Sequence, residues 1–359
     1  MTNYATRWSG ATPMSSALTM RSATPAEAGL AESGLGFERP VPEGGYRWWY
    51  VDGFSDCGQF GITLIAFIGS VFSPYYYRAR HRGRGQAANH VSLNVILYGP
   101  SQSRWCMTER GETALLQSPH GLDIGPSALR ASDSGLEIDI QERATPFGQR
   151  VVGQVSVSFA RPSEECFELD GVGEHWWWPI APVAGIKVAL ERPGLRWSGA
   201  AYVDSNSGSR PIETGFASWN WCRGHDAEGD CQIHYDAQLS GGGEKRLSLS
   251  VDRSGALVRT PSPDLQQLPR GPIWRVARPA RLPHQAGRVT TLEDTPFYTR
   301  SEIEVGGGQF MHESLDLHRF CRPWVQFLLP LECRERVEAV SPASGTGRVS
   351  PSRHALSSP

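Results

Sequence analysis

Thirty-nine glycines and 26 prolines break this 359-residue chain into short runs, and that punctuation constrains its fold more than any other feature. Proline removes a backbone donor and glycine loosens a helix, so long helices are disfavoured. Few stretches carry a 3.6-residue apolar period, whereas many are aromatic and β-branched runs of strand length bounded by turn residues. The first half predicts strands at Tyr46–Asp52, Gln59–Phe72, His90–Tyr98, Arg104–Glu109, Leu136–Gln141 and Val151–Ala160, with turns at Ser55–Gly58 and Thr145–Gly148. The second half predicts strands at Ile186–Glu191, Trp197–Tyr202, Gly215–Cys222, Cys231–Leu239, Lys245–Val251 and Ile273–Arg278. Turn signals recur roughly every 8–15 residues, the spacing of an antiparallel barrel or sandwich. The expected organisation is mainly β: two units, 43–180 and 181–337, joined near Trp178–Val183 where Pro179 and Pro182 interrupt. Residues 1–42 and 338–359, rich in Ser, Thr, Ala, Gly and Pro, read as disordered tails.

Charge excludes some functions. Lys and Arg number 35 against 37 Asp and Glu, a net charge of −2, so no basic excess exists to hold nucleic acid. Residues 1–35 lack the apolar centre of a secretory signal, and no run approaches a membrane-spanning length. The seven cysteines, an odd number, then read as reduced thiols on the cytoplasmic side.

Twelve tryptophans are the compositional outlier, and they concentrate in Glu174–Arg223. That segment holds Glu174-His175-Trp176-Trp177-Trp178-Pro179, Tyr202-Val203-Asp204 and Trp219-Asn220-Trp221. Residues two apart share one face of a strand. His175 with Trp177, Tyr202 with Asp204, and Trp219 with Trp221 can therefore face one cavity. A carboxylate among aromatics is costly to bury and so marks a candidate catalytic acid. The plainer alternative is that the aromatics fill a core and Asp204 shapes the turn Ser205-Asn206-Ser207-Gly208; His175 is equally compatible with a structural role.

Six runs, Gly45–Asp52, Ala66–Tyr76, Met107–Gly111, the whole of Glu174–Arg223, Pro296–Arg300 and His312–Leu317, together resemble the carotenoid 1,2-hydratases, or hydroxyneurosporene synthases. The resemblance covers nearly all of 45–331 and is weak in the tails and around 112–150. It implies two lipocalin-like antiparallel β-barrels. It also implies cofactor-independent addition of water to the terminal C1=C2 bond of an acyclic carotenoid such as neurosporene or lycopene. The family's proposed proton donor, the Asp of Tyr-x-Asp, falls on Asp204. Its helpers fall on Tyr202, His175 and Trp177, and Trp219 and Trp221 become candidate substrate-binding residues.

The chemistry agrees with those residue types. Protonating the alkene at C2 leaves a tertiary cation at C1, so the donor must be neutral at working pH, as an apolar site makes a carboxyl. Aromatic faces stabilise such a cation without trapping it. Water then attacks C1, and its proton needs an acceptor. A non-catalytic lipocalin-like carrier uses the same cavity but has no need of a neutral acid; a third alternative is an aromatic surface that docks a partner.

No metal or organic cofactor is expected. Cys222-x2-His225 and Cys231-x2-His234 have zinc-like spacing but bracket a polar hairpin loop rather than forming C-x2-C pairs. His312-Glu313 lacks the H-E-x-x-H spacing and reads as a strand end or loop without a metal role. Tyr75–Arg82 joins aromatics to a basic run. It reads either as a solvated loop or, with Phe67–Tyr77 as the cavity mouth, as a peripheral contact with the cytoplasmic face of the inner or photosynthetic membrane. Oligomeric state is left open.

Overall fold

The computed structural model describes residues 18–100, 103–226, 229–329 and 334–337. Its described strands form a 14-stranded sheet, an 8-stranded sheet and a two-stranded ribbon, Leu265–Leu268 with Arg278–Arg281. Helices are short: Pro74–Arg80, Ile212–Gly215, Leu317–Phe320 and Pro323–Leu328 are the α-helices described. The mainly β expectation holds. The large sheet rolls on itself until Arg104–Arg110 touches Gly135–Arg143, far along the strand order. Apart from short parallel pairs at Leu18–Thr19 and Arg334–Val337, its neighbours and those of the smaller sheet run antiparallel.

Burial patterns locate the second layer. Gly135–Arg143 alternates buried and exposed positions, as expected of a sheet with one face in water. Tyr46–Ser55 is buried at all ten positions, because both its faces are covered. Trp49 and Val51 point into the roll of the large sheet, with Leu64, Val95, Ile138, Val155, Trp178 and Val203. Trp48 and Tyr50 point the other way, into a second core shared with Trp219, Trp221, Tyr235, Met311 and Leu315 of the smaller sheet. The roll is thus filled by its own side chains, and the two sheets meet across a seam.

Several expectations need correcting. Residue 180 lies inside one strand, His175–Arg192, and the following strand, Leu195–Gly208, also belongs to the large sheet. The change of sheet comes between Gly208 and Phe216. Pro179 and Pro182 do not end the strand. They sit where the register shifts on either side of Ala181, bulges that tolerate a missing N–H.

Residues 18–42 are no loose tail. Leu30, Leu35 and Phe37 are buried, and their segment is tied down from the sheet. The Arg47 guanidinium donates to the carbonyls of Leu30 at 2.7 Å, Gly36 at 3.0 Å and Leu35 at 3.3 Å, and the Trp49 indole donates to Leu35 at 2.9 Å. Backbone carbonyls leave no periodic signature, which is why the sequence concealed this. Residues 1–17 and 338–359, the remainder of the expected tails, lie outside the described residues. Residues 273–277 form turns and irregular backbone, with only Arg278 beginning a short strand. Tyr75–Arg82 is mostly helix rather than solvated loop: Ser73 caps Pro74–Arg80, and Tyr76 is buried with its hydroxyl on the Gly45 carbonyl at 2.6 Å.

Candidate active site

The seam opens into a cleft that narrows inward. Its outer hollow, about 800 Å³ of empty space, is walled by Ile65, Phe67, Phe72, Met107, Phe297 and Leu315 among others. An inner hollow of about 290 Å³ is lined by Asp204, Asn206, Trp221 and Tyr235. Trp48, Tyr50, Trp219 and Glu313 border both, so the two hollows adjoin across these side chains. The cleft lies between the sheets and not inside a barrel.

Two-residue periodicity builds the inner end. Tyr202 and Asp204 face the seam from Leu195–Gly208, opposite Asp52 and Tyr50 in register. Trp177 faces it from the neighbouring strand. The Trp177 indole N–H and the Tyr202 hydroxyl both donate to Oδ2 of Asp204, each at 2.9 Å. Oδ1 is buried and has no hydrogen-bond partner in the structure. Burial pushes the Asp204 carboxyl up to about 8, against the two donors, which pull it down; the negative charges of Glu313 and Asp52 add to the rise. At neutral pH the group is therefore mostly a neutral acid. Because both donors engage Oδ2, the free valence for the acidic proton is on Oδ1.

Aromatic faces surround this acid. Trp221 lies 5.2 Å from Tyr202 and 5.6 Å from Tyr50 between ring centroids, and Tyr235 lies 5.4 Å from Trp177. Trp219 stands 6.2 Å from Trp48 where the hollows join. Such a wall suits a developing carbocation.

The structure brings together five of the six residues singled out from the sequence: Asp204, Tyr202, Trp177, Trp219 and Trp221. His175 stands apart. Its Nδ1 is 3.0 Å from the Tyr46 hydroxyl, and Tyr46 in turn stacks on Trp48 at 5.0 Å. The imidazole occupies a slot left by two glycines; a Cβ on Gly208 or Gly215 would come within 2.6 Å of a ring nitrogen. Burial pushes its pKa down to about 4, so it is neutral at pH 7. From there it positions Tyr46 and Trp48 rather than touching Asp204.

Sequence reasoning missed the polar half of the cleft. His312-Glu313 is mid-strand in Gly308–Asp316 rather than at a strand end. Glu313 Oε1 accepts from Arg300 Nε at 2.9 Å and Arg300 Nη2 at 2.7 Å, and lies 3.1 Å from the Tyr50 hydroxyl oxygen. Arg300 also bonds Tyr98, at 2.6 Å, and Glu293. Deeper in, Asp52 pairs with Arg223 and accepts from Tyr50 at 2.9 Å. A signal did exist. Glu313 alternates with Met311 and Leu315, placing an acid on an apolar face.

The zinc-spaced residues diverge. Cys222 joins the small core against the two-stranded ribbon, while Cys231 faces the seam. His225 Nε2 is 3.3 Å from the Pro182 carbonyl, and His234 Nδ1 is 3.0 Å from Ser248 Oγ. Among the described residues no cluster of three or more His, Cys, Asp or Glu is placed to hold a metal ion.

The seam thus holds an apolar cleft that ends on the Asp204 carboxyl among aromatic faces. The profile of the family Carotenoid hydratase CrtC matches residues 64–340. The acyclic carotenoid 1,2-hydratase of Thiocapsa roseopersicina is 46% identical over 300 residues, 82% of this chain and 74% of its own. That of Rubrivivax gelatinosus is 39% identical over 302 residues, with the same coverage. That of Cereibacter sphaeroides is 36% identical over 280 residues, 76% of this chain and 98% of its own. The chain belongs to the carotenoid hydratase family and is an enzyme, a hydro-lyase. Membership sets aside the non-catalytic carrier.

Proposed function

We propose that the protein adds water across the terminal C1=C2 bond of an acyclic carotenoid such as neurosporene or lycopene, without a cofactor, using Asp204 as proton donor. The observation that supports this most is the Asp204 carboxyl, with Oδ2 held by Trp177 and Tyr202 and Oδ1 unengaged at the closed end of an apolar cleft. One end of the hydrocarbon enters past Phe72 and Phe297 until its terminal alkene meets Asp204. Proton transfer to C2 creates the C1 cation among Trp219, Trp221, Tyr50 and Tyr235, and water captures it. Alkene hydration is redox-neutral and needs no electron carrier. The test is incubation with lycopene or neurosporene in detergent, with no cofactor added, in H₂¹⁸O. A more polar product carrying one ¹⁸O per hydrated end is expected; recovery of unchanged carotenoid overturns the reading.

The substrate resides in lipid, and the protein is proposed to meet the carotenoid-bearing membrane peripherally, from its cytoplasmic side. Among the described residues no helix is long and apolar enough to span a bilayer. The basic run after Tyr77 is poorer in free charge than its sequence suggests, since Arg80 is buried against Glu213 at 2.7 Å. The better face surrounds helix Pro323–Leu328. Ile273, Trp324 and Phe327 are 74%, 45% and 75% exposed there, and Trp324 stacks on Trp274 at 5.9 Å. Leu329, next in sequence, lines the cleft. Arg78 donates to the Gln326 carbonyl at 3.2 Å, while Arg275 and Arg322 adjoin Trp274 and Pro323 in sequence; all three are exposed. Apolar insertion with basic contacts of about 1 kcal/mol each gives reversible adhesion to anionic lipid. Wild type is expected to float with anionic liposomes at low salt and to release at high salt, and Trp324→Glu/Phe327→Glu to remain in solution. Equal flotation of both proteins assigns contact elsewhere, and no flotation under any condition removes the membrane contact.

A further inference from the structure

Hydration consumes one proton at C2 and releases another from the attacking water, and the donor described above accounts only for the first. We propose that Glu313 is the second catalytic residue, the carboxylate that receives the proton of the water attacking C1. The proposal rests on the hydratase reading of the same cleft.

Position singles Glu313 out. It borders both the outer and the inner hollow, which no other carboxylate described does. Its side chain enters from the smaller sheet, on the strand paired with that of Trp221, whereas Asp204 enters from the large sheet. A substrate lying along the seam thus passes between an acid on one side and a base on the other.

The two carboxyl groups are built alike and charged differently. Each has one oxygen held by protein donors. Oδ2 of Asp204 takes the indole of Trp177 and the hydroxyl of Tyr202, both uncharged, and the guanidinium nearest to Tyr202, that of Arg223, is committed to Asp52. Oε1 of Glu313 takes two N–H groups of the Arg300 cation and faces the Tyr50 hydroxyl. The residues around Glu313 are Tyr50, Tyr98, Glu293, Tyr298 and Arg300, with Asp52 and Arg223 behind Tyr50. A neutral acid beside a cation-paired carboxylate is the division of labour that paired carboxyl groups need. A negative charge on Glu313 also favours the protonated form of Asp204.

The remaining acceptors fit less well. Asp52 is fully buried and its oxygens are taken up by Arg223 and Tyr50. Glu293 borders only the outer hollow. His175 has a free Nε2, but it faces Gly215, outside the cleft. The step balances without another reactant. Asp204 Oδ1–H breaks as C2–H forms, the water oxygen bonds to C1, and one water proton passes to Glu313. Exchange with cleft water then returns the proton from Glu313 to Asp204.

The test compares wild type, Glu313→Gln and Glu313→Ala for turnover and for carotenoid binding, read by quenching of tryptophan fluorescence. Glu313→Gln is expected to lose about 10²–10⁴-fold in kcat while binding carotenoid as wild type does. Formate is expected to restore part of the activity of Glu313→Ala by acting as a small external base. Neither the kcat-specific loss nor the rescue follows from a merely structural role. Turnover of Glu313→Gln within threefold of wild type overturns the proposal and leaves Asp204 as its own acceptor. Loss of binding together with turnover, without formate rescue of Glu313→Ala, overturns it in favour of a supporting role. Failure of wild type itself to hydrate any acyclic carotenoid removes the hydratase reading, and this proposal with it.

Discussion

Asp204→Asn is expected to cost about 10³-fold or more in turnover, while the protein still folds and binds carotenoid. The amide has the shape of the acid, and its oxygen can accept from the Trp177 indole and the Tyr202 hydroxyl as Oδ2 does now. What it lacks is a proton acidic enough to give to an alkene. Stability points the same way. An acid whose carboxyl is pushed up to about 8 binds its proton more tightly folded than unfolded. Folding stability therefore falls as pH rises from the unfolded value near 4 toward 8. Replacing the group with a neutral amide removes that cost, so Asp204→Asn should be at least as stable as wild type at pH 7. Activity follows the protonated fraction of Asp204: kcat/KM should decline as pH rises through 8. Wild-type turnover by folded Asp204→Asn, or activity that climbs through pH 8, removes the donor role.

Asp52→Ala is expected to lower stability by about 3–5 kcal/mol, the cost of leaving a buried charge without its partner. Asp52 and Arg223 are both fully buried, and their contact also anchors Tyr50. Burial raises the Asp52 carboxyl, and Arg223 and the Tyr50 hydroxyl oppose the rise, so the pair stands only as a unit. Removing both charges with Asp52→Leu/Arg223→Met should recover most of the loss. Urea unfolding followed by fluorescence measures this. A midpoint for Asp52→Ala within experimental error of wild type shows that Arg223 has found another acceptor.

The sequence disclosed what depends on local period. Each expected strand from Tyr46–Asp52 to Lys245–Val251 overlaps an observed strand, though Gln59–Phe72 overruns its strand, Gly61–Ile68, at both ends. The two-residue rule placed Tyr202 with Asp204 and Trp219 with Trp221 on the faces they occupy, because that rule needs no knowledge of partners. What stayed hidden depends on contacts between segments distant in the chain. Whether His175 reaches Asp204 or Tyr46 is decided by the packing of Gly208 and Gly215 around its ring. Arg300 and Glu313 lie 13 residues apart on paired strands, and only the fold makes them one unit with Tyr50. Residues 18–42 are held by Arg47 and Trp49 through carbonyls, which every residue carries and no composition reveals.

The seam has a consequence for how this enzyme can diversify. Acid and clamps come from one sheet, whereas Trp219, Trp221, Tyr235 and Glu313 come from the other. The interior of the large sheet's roll is packed by its own side chains, while its outer face lends Ile65, Phe67 and Met107 to the cleft. Changes in the smaller sheet can reshape one wall of the cleft while Asp204 and its two donors, Trp177 and Tyr202, are inherited intact. Recombination between relatives after Gly208 exchanges the wall that carries Trp219, Trp221, Tyr235 and Glu313 against an unchanged Asp204, making that junction the natural place to cut and rejoin such chains.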